Sequence, residues 1–249
     1  MEERFSPRNH QRRGIYLLPN LFTTGALFAG FYAITLAFNQ NFEWAAISIF
    51  IAMILDGLDG RVARLTHTES AFGGEYDSMA DLISFGAAPA LMVYIWYLSG
   101  MGKIGWVVAF VHTAGAALRL ARFNTQIDTA DKRYFQGLPS PAAAAILAGF
   151  VWFVESHGFA ASQTLRSVTL GLTLLTGLLM VSNFRYHSFK NIDFRGRVPF
   201  MRAIVVMLAF AAVFINPPLV LFTLFTGYAI SGPVLTLKRL SQVRHERKV

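Results

Sequence analysis

The sequence has no cysteine in 249 residues, which excludes disulfide bridges and thiol catalysis while leaving the compartment open. Charge is scarce too. Asp, Glu, Lys and Arg make up 14% of the chain, where soluble domains carry about 25%. A surface can lose that much charge when lipid rather than water covers it. No internal repeat or low-complexity stretch is present, so residues 1–249 read as a single membrane domain. The first residues lack the short apolar core and small-residue cleavage site of a signal peptide. Residues 1–15 read instead as a basic, amphipathic cytoplasmic segment.

What fills the chain is apolar sequence: 54% of residues are hydrophobic and the mean hydropathy is +0.45. A hydrocarbon core of about 30 Å is crossed by roughly 20 residues of helix. Stretches of this kind run from Tyr16 to Phe38, Trp44 to Leu55, Leu82 to Leu98 and Trp106 to Leu120. Four more run from Ala142 to Val154, Ser167 to Val181, Ala203 to Ile215 and Leu219 to Leu237. Several are short for a span unless flanking polar residues join them. Breaking signals at Ser99-Gly100-Met101-Gly102, Ser156-His157-Gly158 and Asn216-Pro217-Pro218 separate neighbours. The expected fold class is all-α: a polytopic membrane helix bundle of about eight transmembrane helices.

Eight spans put both termini on one side, and the basic residues say which. With the Arg-rich N-terminus in the cytoplasm, only Lys103 and Arg166 of the 22 Lys and Arg fall outside. That asymmetry follows the positive-inside rule. It also argues against nucleic acid as a partner despite the net charge of +8, because the cations are dispersed over five segments of one membrane face. Their ordinary work is orientation and contact with anionic membrane lipids. The expected location is a prokaryotic plasma (inner) membrane, with both termini and the active site cytoplasmic.

Six of the fourteen acidic residues lie between Asp56 and Asp81. Four of them, Asp56, Asp59, Asp77 and Asp81, sit in the apolar pattern of the second and third helices. They are expected to end one helix and begin the next. A charged side chain in a membrane helix costs at least about 2.5 kcal/mol, so such residues are functional candidates by default. Residues three or four apart share a helix face. Asp56/Asp59 and Asp77/Asp81 thus form two pairs, and an antiparallel hairpin brings both to one end. Four carboxylates there repel one another unless cations intervene, and oxygen ligands favour Mg²⁺, Mn²⁺ or Ca²⁺ over zinc. Gly57, Gly60 and Ala63 leave a small-residue face for close approach, Gly73-Gly74 frees the backbone before the second pair, and Arg64 adds a cation. Helix capping explains one aspartate, such as Asp77, more readily than four at paired spacing.

These residues read Asp56-x2-Asp59-Gly60-x2-Ala63-Arg64-x8-Gly73-x3-Asp77-x3-Asp81. The pattern resembles, without departure, the signature of the CDP-alcohol phosphatidyltransferases, and the first six helices look like that family's core. The resemblance implies a catalytic six-helix core at residues 16–183. Residues 184–249 then form a cytoplasmic loop, two additional helices and a basic tail. It further implies attack by an alcohol hydroxyl on the β-phosphorus of a CDP-linked lipid, with CMP leaving. Two Mg²⁺ or Mn²⁺ ions are implied at Asp56, Asp59 and Asp77, with Asp81 as general base and a further contact to metal. Ca²⁺ would act as an inhibitory or structural substitute, and a homodimer is the usual family state. Asn20, Thr23, Gly60, Ala63, Arg64, Gly73 and Asp77 become the CDP-lipid site. For Asn20 and Thr23, three apart on the first helix, a helix-to-helix hydrogen bond is the alternative.

The run Asp-Ser-Met-Ala-Asp-Leu-Ile-Ser-Phe-Gly-Ala-Ala-Pro-Ala from Asp77 looks like the branch of this family that uses L-serine. Arg119-Leu120-Ala121-Arg122-Phe123-Asn124 and Gly137-Leu138-Pro139-Ser140-Pro141 resemble it as well. CDP-diacylglycerol and L-serine are then the substrates. Arg119 and Arg122 would take the serine carboxylate, with hydrogen bonds from Ser84 and Asn124. Both arginines equally suit glycerol 3-phosphate or inositol phosphate, or snorkel at a helix end. His112 reads as a packed histidine rather than a ligand. Two other classes use membrane aspartates. An aspartyl protease needs only two, and a cation transporter holds its carboxylates near the bilayer midplane.

Overall fold

The computed structural model describes residues 17–125, 134–187 and 200–246. The basic segment 1–15 and most of the second cationic loop lie outside those residues. Eight helices are present among the described ones. They are α1 (Leu17–Phe38), α2 (Phe42–Thr66), α3 (Ala71–Trp96), α4 (Lys103–Thr125), α5 (Ser140–Ser156), α6 (Gln163–Val181), α7 (Phe200–Ile215) and α8 (Pro217–Glu246). Five of them, α1, α3, α4, α6 and α8, are long and apolar enough to cross a membrane. The chain is a polytopic helical membrane protein. Of the rest, α5 and α7 have 17 and 16 residues. Helix α2 has length to spare, but Glu43, Asp56, Asp59, Arg61 and Arg64 dilute its apolar run.

Helix α5 lies at the centre. From Ala142 to Val151 it is buried on all sides, as expected of a helix without a polar face. The alanine run Ala142 to Ala145 lets α2 and α8 approach its backbone closely. Elsewhere small residues make seams: Gly115 of α4 lies against Gly177 of α6, where a Cβ would overlap the opposing carbonyl. Large side chains point outward; Phe28 is 68% exposed and Phe110 60% exposed. In a soluble protein such faces would aggregate. Here they are the lipid-facing surface.

Helix boundaries differ from the hydropathy reading in an informative way. Helix α2 continues three turns past Leu55 to Thr66. It closes with His67 in the left-handed region (φ 52), Thr68 N–H donating to Ala63 O at 3.0 Å and His67 N–H to Arg64 O at 3.4 Å. This is a Schellman ending. Ser70 then caps α3, its Oγ accepting from Gly73 N–H at 3.0 Å. The reversal between the two helices is therefore tight and fixed at both ends.

Within α3, Leu82–Ala87 winds as a π-helix. Neighbouring helices fasten the segment. Ser84 Oγ donates to Ala26 O at 3.0 Å, Thr113 Oγ1 to Gly86 O at 3.3 Å, and His112 Nε2 lies 3.2 Å from Phe85 O. His112 Nδ1 meets Thr176 Oγ1 at 2.9 Å. The histidine is fully buried with both ring nitrogens occupied, as a packing residue should be.

One element was not expected from the sequence. Residues Tyr134–Gln136 (β1) and Arg185–His187 (β2) pair antiparallel, with Phe135 opposite Tyr186. Gly137 follows at φ +78, where a Cβ would overlap Met180 O, so only glycine fits this crossing. Its N–H reaches Phe184 O at 2.9 Å, and Leu138 N–H reaches Leu179 O at 3.0 Å. The ribbon thereby ties the start of α5 to the end of α6.

Candidate active site

The tight turn after α2 decides where the carboxylates meet. Asp59 lies seven residues before Thr66, and Asp77 six residues after Ala71. At about 1.5 Å per residue both stand roughly 10 Å inside their helices. This corrects the expectation that the aspartates end one helix and begin the next. They are interior residues, and Asp77 does not cap α3, since Ser70 does. One carboxylate oxygen from each of Asp56, Asp59 and Asp77 lies within 4.8 Å of the others. Asp81 joins through a side-chain hydrogen bond with Asp56. Carboxylates that close must share a proton or a cation.

Helix α1 supports the group from the side. Thr23 Oγ1 lies 2.7 Å from Asp59 Oδ2 and 3.1 Å from Pro19 O. Thr23 and Asp59 are both buried, so the hydroxyl fixes the carboxylate rotamer. Asn20 stands near Gly73, its Oδ1 3.5 Å from where a Cβ would sit. Thr24 Oγ1 and the Tyr76 hydroxyl are 2.9 Å apart. Nothing lies within 4 Å of a Cβ built at Gly57 or Gly74. Near Gly60 the first neighbour is the Arg64 guanidinium at 3.7 Å, and Arg64 acts electrostatically on Asp59. The small-residue faces thus border open space beside the carboxylates.

The residues singled out for an acceptor separate into two kinds. Arg119, inside α4, turns toward the cluster and interacts with Asp81 and Asp56. Its Nη1 donates to Ser140 Oγ at 3.0 Å, and Ser140 is fully buried at the start of α5. Asn124 stays near the carboxylate helix, its Nδ2 donating to Ser78 Oγ at 3.0 Å, one residue from Asp77. Arg122 points elsewhere, to Asn183 Oδ1 at 3.5 Å. Ser84 falls away from the cluster. It is fully buried, and its proton is committed to Ala26 O in the seam between α1 and α3. A Cβ at Gly30 would overlap it. It serves helix packing in this structure.

Three residues near the site carry little signal in sequence. Ser78 and Ser140 are ordinary serines until the fold pairs them with Asn124 and Arg119. Tyr228 of α8, which interacts with Arg119, is one aromatic among many in an apolar helix. For Ser78 the i, i+1 position beside Asp77 and its turn-spacing from Asp81 was the available clue.

Fold and site together define a class: a polytopic helical membrane protein built around an aspartate cluster shared by the two helices of a hairpin. The CDP-alcohol phosphatidyltransferase family model matches residues 16–181, and the chain belongs to that family. Among curated relatives, the CDP-diacylglycerol–serine O-phosphatidyltransferase of Helicobacter pylori is 39% identical over 219 residues, 88% of this chain and 90% of its own length. The Mycobacterium bovis protein of that name is 30% identical over 232 residues, 91% of this chain and 80% of its own. The Methanocaldococcus jannaschii one is 39% identical over 143 residues, 57% and 63% of the two chains.

Proposed function

We propose that this protein transfers the phosphatidyl group of CDP-diacylglycerol to the hydroxyl of L-serine, giving phosphatidylserine and CMP, at the cytoplasmic face of a prokaryotic inner membrane. The names of the relatives support the reaction. The observation that carries the acceptor is Arg119. A largely enclosed guanidinium faces Asp81 and Asp56 while spending one N–H on Ser140. It offers a serine carboxylate a charge-assisted partner beside the residue suited to take the hydroxyl proton.

The chemistry follows from what each residue does. The serine hydroxyl oxygen forms a bond to the phosphorus that bears the diacylglycerol. The bond from that phosphorus to the CMP oxygen breaks, and CMP leaves with the electron pair. Asp81 accepts the hydroxyl proton, being on the acceptor side of the cluster. Asp56, Asp59 and Asp77 fit a divalent cation: three oxygen donors within 4.8 Å, one braced by Thr23. Two ions, Mg²⁺ or Mn²⁺, are assigned to this cluster, with Ca²⁺ an inhibitory or structural substitute. Bound there, the cations supply neutralisation of pyrophosphate oxygens and of the leaving group. Asn20, Gly60, Ala63, Arg64 and Gly73 are assigned to the nucleotide end, beside the open space at Gly57 and Gly74. Asn124, through Ser78, and Arg122 are assigned outer positions in the acceptor site. We assign catalysis to residues 16–183 and read the working unit as a homodimer.

The test is CMP release by purified protein in detergent with CDP-diacylglycerol and Mn²⁺ or Mg²⁺, with L-serine, glycerol 3-phosphate and inositol phosphate offered separately. Release with serine alone is the expected result, abolished by EDTA and restored by Mn²⁺. Release only with another acceptor would keep the family and overturn the serine assignment.

A further inference from the structure

We propose that His112 of α4 is a positioning residue for Asp81: it holds the wide turn that follows this aspartate and so fixes where its carboxylate stands. The inference rests on the role given to Asp81 above.

Asp81 immediately precedes the π-helical turn Leu82–Ala87, and Asp77, one turn earlier, belongs to the three-aspartate cluster. The turn is wide enough that Ala88 N–H reaches back five residues to Ile83 O. Pro89 then follows, four residues after Phe85, and has no N–H. Phe85 O therefore lacks the donor that an α-helix would supply, and a buried carbonyl needs one. His112 meets that need from α4, its Nε2 lying 3.2 Å away. A carbonyl only accepts, so Nε2 carries the proton, and Nδ1 is left to Thr176 Oγ1 at 2.9 Å. The next residue of each helix repeats the contact, Thr113 Oγ1 donating to Gly86 O at 3.3 Å. A Cβ at Gly86 would stand 3.1 Å from Ala116 Cβ of α4, so side chains of one helix reach the backbone of the other. On the opposite side Ser84 Oγ donates to Ala26 O of α1 at 3.0 Å.

These bonds control how the two parts of α3 stand to one another. The part before Asp81 has ties of its own, Thr24 to Tyr76 at 2.9 Å and Asn124 to Ser78 at 3.0 Å. The part from Ala88 onward packs into the core. Only the wide turn joins them, and such turns are where helices bend. Released from α4, the two parts would swivel, and Asp81 at the junction would move while Asp77 stayed with its own ties. An imidazole is also a costly way to fill space in a membrane helix, since its polar atoms must be satisfied there. His112 and Arg119 are seven residues apart and so share a face of α4. One helix thus holds both the turn behind the proton acceptor and the cation assigned to the acceptor substrate.

The experiment uses the full-length protein in detergent with Mn²⁺, reading kcat, the KM for L-serine and for CDP-diacylglycerol, and the thermal midpoint. Two variants separate the ring nitrogens, because a glutamine amide reaches about as far as Nε2 and an asparagine amide about as far as Nδ1. His112→Gln, able to donate to Phe85 O, should keep kcat within about threefold. His112→Asn keeps the Thr176 contact and part of the stability, yet kcat should fall at least about tenfold, as misplaced reacting groups cost up to about a hundredfold. The KM for CDP-diacylglycerol should move less than about twofold in both. Trp96→Phe removes the Nε1–H bond to Glu155, 2.7 Å long, at the far end of α3. It should lower the midpoint and leave kcat alone. Should a histidine variant fail to fold, Thr113→Val decides: kcat should fall by about threefold or more, and Thr113→Ser should restore it. Equal kcat in the Gln and Asn variants, or a kcat that follows the midpoint through every variant including Trp96→Phe, would overturn the proposal. Should the parent protein release CMP with a different acceptor, the serine reading fails and the same comparison is made on that acceptor. No release with any acceptor overturns both.

Discussion

A carboxylate inside a membrane helix survives only if something nearby values its charge, and the four aspartates here divide that task unequally. Asp59 is braced by Thr23 at 2.7 Å, and Asp56, Asp59 and Asp77 converge within 4.8 Å. Asp81 meets the group through Asp56 and faces Arg119. Asp81→Asn keeps the shape and removes the proton acceptor. It should abolish CMP release, by at least about a hundredfold, while CDP-lipid binding, read by equilibrium titration, is largely retained. Full activity in that variant would remove Asp81 from its role. The aspartates were legible in sequence because i, i+3 and i, i+4 spacing fixes a helix face whatever the tertiary structure. Ser84 was not. A serine beside a catalytic pair looks like a ligand until the fold shows its proton spent on a neighbouring backbone. Tyr228 was hidden for the opposite reason: distance along the chain gave no sign that α8 brings it near Arg119.

At the scale of elements, hydropathy found the number of helices and misjudged their ends. It lost α2 at Leu55 because the functional residues are themselves polar, so the site erased the signal of the helix carrying it. The ribbon of β1 and β2 left no trace, since three-residue strands are too short to show a period. The π segment was equally silent, because an extra backbone residue per turn changes no residue type. Its fasteners are now explicit. His112→Leu would preserve volume roughly, yet take the imidazole from Phe85 O and leave Thr176 Oγ1 with Thr173 O alone. A loss of about 1–3 kcal/mol follows, measurable as a lower thermal midpoint in detergent. His112→Asn should recover part of it. An unchanged midpoint would show that the histidine merely fills space.

For the whole molecule, the proposed orientation rests on the basic residues, which under that reading fall almost entirely in one set of loops. The absence of cysteine makes it testable without background labelling. A single cysteine replacing Lys103, the first residue of α4, should react with an impermeant maleimide in intact cells. One replacing Arg61, exposed near the aspartate end of α2, should react only after permeabilisation. The reverse pattern would put the carboxylates on the outer face and sink the cytoplasmic assignment.

The π-helical turn has one more consequence, for how related chains of unequal length can be compared. A regular α-helix advances about 100° per residue, so a lost residue turns everything beyond it to a different face. The wider turn at Leu82–Ala87 already holds one residue more than an α-helix would need there. Losing a residue within it would restore ordinary winding and leave Asp77 and Asp81 in phase with the buried half of α3. The same loss between Asp77 and Asp81 would leave the pair three apart, still on one face, but with no wide turn to absorb it the segment holding Asp77 would turn about 100° against the rest of α3. Two adjacent stretches of one helix thus differ sharply in their tolerance of a deletion, and gaps in this region carry meaning only when placed to the residue.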